Sequence, residues 1–122
     1  MLSGLLLGCA SQSSLKEPIT PYQLTEANII AVETAVRKPL KDPNSAQFQN
    51  LQSTRQGASV MVCGSVNAKN SYGGYTGFRP FWVKLNPELN YATLMNWVVD
   101  DQNFMAPVIL RSQCRSAGML IE

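Results

Sequence analysis

Val60-Met61-Val62-Cys63-Gly64-Ser65-Val66 limits the fold more than any other segment of this chain. It is short, rich in β-branched side chains and apolar on both faces, which predicts a central strand of a sheet. Its neighbours follow from the flanking sequence. Gln56-Gly57 reads as a hairpin turn, and before it an extended piece runs through Phe48 and Leu51. That piece is preceded by Asp42-Pro43-Asn44-Ser45, whose composition sets a turn or a single helical turn. Downstream, Phe78 to Leu85 forms a second, aromatic strand in which Pro80, with no N–H to give to a ladder, predicts an edge position or a bulge. Tyr91 to Val99 adds one more strand.

A helix is expected to pack on this sheet. Thr20-Pro21-Tyr22-Gln23 offers an N-cap, a proline at the first helical position and a glutamine at the capping-box position, and Pro39 closes the segment. Between them Leu24, Ala27, Ile30, Ala31, Val32, Ala35 and Val36 form a broad apolar face. Glu26, Glu33 and Arg37 gather opposite, with Glu33 and Arg37 four apart in the favourable order, and read as a solvated face. Residues 107–116 read as helix or strand. Leu110 and Cys114 are helix-spaced and Asp100 or Asp101 can cap a helix, whereas Pro107 argues for a start near Ala106. With 122 residues, 45% of them hydrophobic, the chain can build one modest core that buries roughly 65% of its unfolded surface. The expected class is α+β: one N-terminal amphipathic helix on a small antiparallel sheet, with a C-terminal helix as a further element.

The first nine residues belong to a different category. Met1-Leu2-Ser3-Gly4-Leu5-Leu6-Leu7-Gly8-Cys9 is a short apolar run ending in a small residue and a cysteine, which reads as targeting rather than fold. Leu6-Leu7-Gly8-Cys9 resembles a bacterial lipobox, and the resemblance implies cleavage before Cys9 and acylation of its sulfur. Several acyl chains would hold the protein on a bilayer, since each buried methylene contributes about 0.8 kcal/mol. Ala10 and Ser11, with no Asp after the cysteine, resemble the pattern sorted to the outer membrane, facing the periplasm. Residues 10–20 are polar, small and aperiodic, a tether of about 20 Å reach. The expected organisation is a signal-peptide remnant at 1–8, a lipidated cysteine and tether at 9–20, and a single compact domain at 21–122.

An exported protein folds where thiols oxidise. With Cys9 committed to lipid, Cys63 and Cys114 are left as a pair, either bridged or two buried free thiols. A bridge would close a loop of about 50 residues and contribute roughly 4 kcal/mol on the chain-entropy model. The densest unusual segment is Asn67 to Gly77 (NAKNSYGGYTG), which joins two predicted strands with amides, glycines and two tyrosines. Glycines permit positive φ, amides pair donors with acceptors, and Tyr72 and Tyr75 offer flat amphipathic area. Such a loop suits a polar partner, with Asn67, Lys69, Asn70, Tyr72, Tyr75 and Arg79 as the candidate contact residues. The competing role is a tight turn whose tyrosines lie down on the sheet.

Asp42-Pro43-Asn44-Ser45-Ala46-Gln47-Phe48, followed by Val62-Cys63-Gly64-Ser65-Val66-Asn67-Ala68-Lys69-Asn70 and Gly73-Gly74-Tyr75-Thr76-Gly77-Phe78-Arg79-Pro80-Phe81, resembles a group of small, largely uncharacterised proteobacterial exported proteins and lipoproteins. The resemblance spans roughly residues 24 to 85. It implies a compact α+β domain, with a second cysteine near the C-terminus as Cys114 would be, and it carries over no catalytic residue.

Chemistry-bearing clusters are scarce. Histidine is absent, which removes His-based triads, zinc sites and proton shuttles. Asp100-Asp101 are adjacent, so they diverge in a strand and more often cap a helix, and Glu88 has no spacing that brings it to them. Lys69 near Ser71 is the one pairing of a base with a hydroxyl, and no metal or cofactor site is expected. Ten Lys and Arg against eight Asp and Glu make no basic stripe for nucleic acid. The expected function is a lipid-anchored, non-enzymatic binding or structural module whose partner is another envelope protein or a cell-wall glycan. Alternatives are an inhibitor or immunity protein against a cell-wall hydrolase, and an accessory subunit of a secretion or phage-related envelope complex.

Overall fold

A computed structural model describes residues 17–97 and 112–119. Cys9, the Asp100-Asp101 pair and the expected helix start at Ala106 lie outside the described residues. In chain order the elements are β1 (Ile19–Pro21), α1 (Glu26–Arg37), a 3₁₀ turn (Pro43–Ser45), β2 (Gln47–Gln56), β3 (Ser59–Asn67), β4 (Arg79–Asn86) and β5 (Tyr91–Trp97). The strands form one antiparallel sheet in the order β1-β2-β3-β4-β5, with α1 packed on it, an α+β fold.

β3 stands third of the five described strands, paired on both sides as its doubly apolar sequence predicts. Register aligns Val60 with Leu85 and Val62 with Val83, so β3 and β4 put these side chains on one face. There they meet Val32, Ala35 and Val36 of α1, with Val66, Phe81 and Ala92 in the same buried cluster. Gly64 lies opposite Phe81. A Cβ on Gly64 would stand 2.9 Å from Leu51 Cδ2 and from Phe81 Cζ, so the missing side chain is the space those two occupy.

The odd positions of β3 face the other way. Cys63 is bonded to Cys114, whose residues 112–116 form a helical turn on this second face. The turn ends in a Schellman arrangement: Met119 N–H donates to the Cys114 carbonyl at 3.0 Å and Gly118 N–H to the Arg115 carbonyl at 2.9 Å. Gly118 takes φ +85°, which requires glycine here, and Met119 is thereby turned inward against Cys63 and Cys114. Thr54 Oγ1 donates to the Ala117 carbonyl at 2.7 Å, tying the segment to β2 as well.

Several expectations are corrected. The helix expected from Thr20 starts at Glu26, because Thr20 and Pro21 instead pair with Arg55 and Thr54 of β2. Ile19 and Thr20, expected in the tether, are therefore part of the sheet, and Pro21 is tolerated because β1 is an outer strand among the described residues. The N-cap is Thr25: its Oγ1 accepts from Asn28 N–H at 3.1 Å, and its own N–H donates to Asn28 Oδ1 at 3.1 Å. Asn28 plays the part usually taken by Glu or Gln.

Ile30, counted with the apolar face, is 61% exposed. It lies about 200° around the helix from the fully buried Val32, so both cannot face the sheet. Pro80 marks no edge, since β4 is paired on both sides. It sits opposite Ser65 of β3, one residue ahead of Phe81, and the β4–β5 ladder shifts register close by, between Trp82 and Val83, as the alternative of a bulge allows. The expected Glu33–Arg37 pair is present at 3.4 Å.

Asn28 also anchors α1 to the sheet. It is 1% exposed, and its Nδ2 donates to Asn90 Oδ1 at 2.6 Å and to the Pro87 carbonyl at 3.4 Å, while Tyr22 OH donates to its Oδ1 at 3.4 Å. One buried amide thus joins the helix N-terminus to the β4–β5 turn with its polar atoms satisfied.

Candidate functional site

The loop from β3 to β4 is built on its own backbone. Past the strands, Lys69 and Tyr75 still face each other as an antiparallel bridge. Asn70 N–H donates to the Gly74 carbonyl at 2.9 Å and Gly73 N–H to the Asn70 carbonyl at 3.1 Å, closing a tight turn in which Gly73 takes φ +84°. Asn70 Oδ1 then accepts from Tyr72 N–H at 2.9 Å and Gly74 N–H at 3.1 Å. The side-chain carbonyl of Asn67 accepts from Gly77 N–H at 3.0 Å. Two asparagines of the loop therefore act first as backbone substitutes.

A second clamp comes from the Pro43–Ser45 turn. Ser45 Oγ accepts from Lys69 N–H at 2.8 Å and lies 2.7 Å from the Asp42 carbonyl, to which it donates. The Ser45 carbonyl accepts from Tyr75 OH at 3.0 Å. Tyr75 is accordingly 46% exposed, with the Lys69 ammonium 5.6 Å above its ring. Lys69 is thus engaged with a tyrosine face and not with Ser71. Tyr72, at the turn's tip, is 97% exposed.

Beside the loop runs a groove of about 280 Å³. Leu40, Val66 and Ala68 contribute aliphatic surface, and Lys41, Lys69 and Arg79 contribute cationic groups. Asn70, Ser71, Tyr72 and Thr76 line its loop side, and among the described residues no Asp or Glu lines the groove. Three of the chain's ten Lys and Arg therefore meet in one concavity although the chain as a whole carries only +2.

The six residues expected in the contact surface divide into two groups. Lys69, Asn70, Tyr72 and Arg79 line the groove, whereas Asn67 and Tyr75 brace the loop that forms it. Leu40, Lys41 and Ser45 were not legible as site residues. Their only sequence signal is that the Asp42-Pro43-Asn44-Ser45 turn lies directly after Leu40-Lys41 and before a strand, which says nothing of a loop more than twenty residues on. Glu88 lies in the β4–β5 turn, where it pairs with Arg55 at 3.5 Å. Among the described residues, no helix is long and apolar enough to cross a membrane. Comparisons of the chain with protein-family models, with curated proteins and with solved structures found no match.

Proposed function

We propose that this chain is an exported, lipid-anchored binding module of the bacterial envelope whose contact surface is the Asn67 to Arg79 loop with its adjoining groove. In this reading residues 1–8 are the remnant of an export signal, acylated Cys9 is the anchor, and the residues up to β1 are a tether of roughly 15–20 Å. The domain that follows, with α1 as its N-terminal helix, stands on the periplasmic side of the outer membrane. Its role is non-catalytic.

One observation carries the reading: Tyr72 is 97% exposed on a loop whose base is braced by Asn67, Asn70, Ser45 and Tyr75. A large aromatic ring held in water gains nothing for the fold, whereas aromatic anchors at an interface often contribute about 2 kcal/mol or more to binding. A protruding tyrosine beside a polar cleft also favours an inhibitor or immunity protein, which inserts such a tip into an enzyme's groove, over an accessory subunit with a wide apolar face.

Crosslinking and pull-down from detergent-solubilised membranes tests the surface. Tyr72→Ala should abolish partner capture and leave the melting temperature unchanged within a few degrees, and unimpaired capture would remove the loop from the reading. Cys9→Ser should release the protein from the membrane fraction and abolish labelling by a palmitate analogue. An unlabelled wild type that fractionates like the variant would overturn the anchor.

A further inference from the structure

The two ends of the sheet differ in what they expose and in where the chain enters. Ile19 pairs with Gln56, Val60 with Leu85, and Tyr91, the first residue of β5, with Asn86. The entry into β1, the β2–β3 hairpin and the β4–β5 turn therefore share one end, where Gln56 Nε2 donates to the Glu17 carbonyl at 3.0 Å. The Asn67 to Arg79 loop lies at the other end, about 30 Å away along the nine residues of β3.

At the entry end Leu89 is 75% exposed and Tyr91 63%. The turn that carries them is held firmly. Asn86 Oδ1 accepts from Leu89 N–H at 3.2 Å, and the buried Asn28 grips the turn through Asn90 and the Pro87 carbonyl. Tyr91 lines a groove with Ala27, Ile30 and Ala31 of α1, so the exposed Ile30 extends the same apolar surface. Apolar side chains exposed singly need no explanation, whereas several gathered at one end of a domain mark a contact.

The occupant follows from where the chain enters. Cys9 precedes Glu17 by eight residues, so its sulfur lies within about 28 Å of this end however the intervening chain runs. With the sulfur acylated, the entry end cannot leave the bilayer surface by more than that, while the loop at the far end can stand roughly 30 Å farther out. Leucine and isoleucine gain by entering the boundary between headgroups and acyl chains, and tyrosine suits the headgroup level. Glu88 lies 3.5 Å from Arg55 at this end, so apolar burial and not attraction to anionic headgroups is what the turn offers.

We infer that the β4–β5 turn, through Leu89 and Tyr91 with Ile30 beside them, is a second contact surface that rests on the lipid bilayer and points the Asn67 to Arg79 loop away from it. The inference rests on the anchored reading above and adds an orientation that a tether alone does not impose.

The test uses the full chain, exported with its own N-terminus and reconstituted into vesicles of phosphatidylethanolamine and phosphatidylglycerol. Photoreactive benzoylphenylalanine at Leu89 or at Tyr91 should form lipid adducts that mass spectrometry detects, and the same group at Tyr72 should form none. Adducts in equal yield at all three positions, or at Tyr72 alone, overturn the orientation. A Leu89 adduct of twice the protein's mass overturns the lipid and points to a second copy. Loss of the adducts at high salt overturns the apolar contact. Hydrogen exchange of the unsubstituted protein serves if the photoreactive variants do not fold. Amides of residues 87–91 should exchange more slowly on vesicles than in the soluble Cys9→Ser chain, with residues 70–77 unchanged, and Leu89→Ser should remove that slowing. Exchange at 87–91 that is the same in both states overturns the inference. The intact mass of the same preparation reads acylation separately. Acylated protein without a lipid adduct at Leu89 overturns this inference and leaves the anchor standing. Unacylated protein that still forms the adduct keeps the surface and removes the anchor, and unacylated protein that forms none loses both.

Discussion

The two faces of the sheet are covered by different means. One lies beneath α1, a helix of twelve residues that places Val32, Ala35 and Val36 on Val62, Phe81 and Val83. The other lies beneath residues 112–119, where Cys114 and Met119 are the apolar side chains buried outright. The described helical residues 112–116 and the two side chains buried with them contribute little area of their own. The Cys63–Cys114 bond and the Thr54–Ala117 hydrogen bond tie this segment to β3 and β2. Among the described residues, one cover is joined to the sheet by a covalent bond and the other by helix packing and a cap.

The largest expected effect tests that contrast directly. Replacing Cys63 and Cys114 together by Ala should cost about 4 kcal/mol in denaturant unfolding, given a sequence separation of 51. Hydrogen exchange on the same variant should show residues 112–119 unprotected while α1 keeps its protection. Equal loss of protection in α1 would break the distinction between the two covers.

Next comes the cap on the helix side. Asn28→Ala removes the capping box and leaves Asn90 and the Pro87 carbonyl without their buried donor, so a loss of about 3 kcal/mol is expected. Asn28→Asp should restore the cap but not the donor, and thermal unfolding of the two variants separates the contributions. Gly64→Ala probes packing on the same face. Its Cβ would press on Leu51 and Phe81 at 2.9 Å, and about 2 kcal/mol of destabilisation is expected. A variant as stable as wild type would mean that the helix-side core yields more easily than its contacts imply.

The smallest effects concern the loop, which neither cover touches. Tyr75→Phe removes the hydrogen bond to the Ser45 carbonyl and should cost about 1 kcal/mol. Tyr72→Ala should change stability by about 0.5 kcal/mol or less. Melting curves that reversed this order would exchange the roles of bracing and contact between the two tyrosines.

Much of the fold was legible from local pattern. Val60 to Val66 announced an inner strand by its apolar parity, Gln56-Gly57 announced the hairpin, and Cys63 and Cys114, expected as a bridge or as two buried thiols, are bridged. The start of α1 was not, because Thr20-Pro21 and Thr25 both look like helix entries and only pairing of residues 19–21 with β2 decides between them. Nor was the exposure of Ile30, since a broad apolar arc does not say which part of it meets the sheet.

The candidate site divides along the same line. Amides, glycines and tyrosines packed into one stretch marked Asn67 to Gly77 as a loop of unusual chemistry, and that much follows from composition alone. Asn67 and Tyr75 became braces and Tyr72 became the tip only because Ser45, more than twenty residues upstream, lies against the loop. The gathering of Lys41, Lys69 and Arg79 around one groove is likewise a product of the folded chain. Helix period, strand parity and turn chemistry act over a few residues and can be read in order along the sequence. Charges drawn from three separate segments meet only when the sheet and its connections have packed, and nothing in their local sequence encodes that meeting.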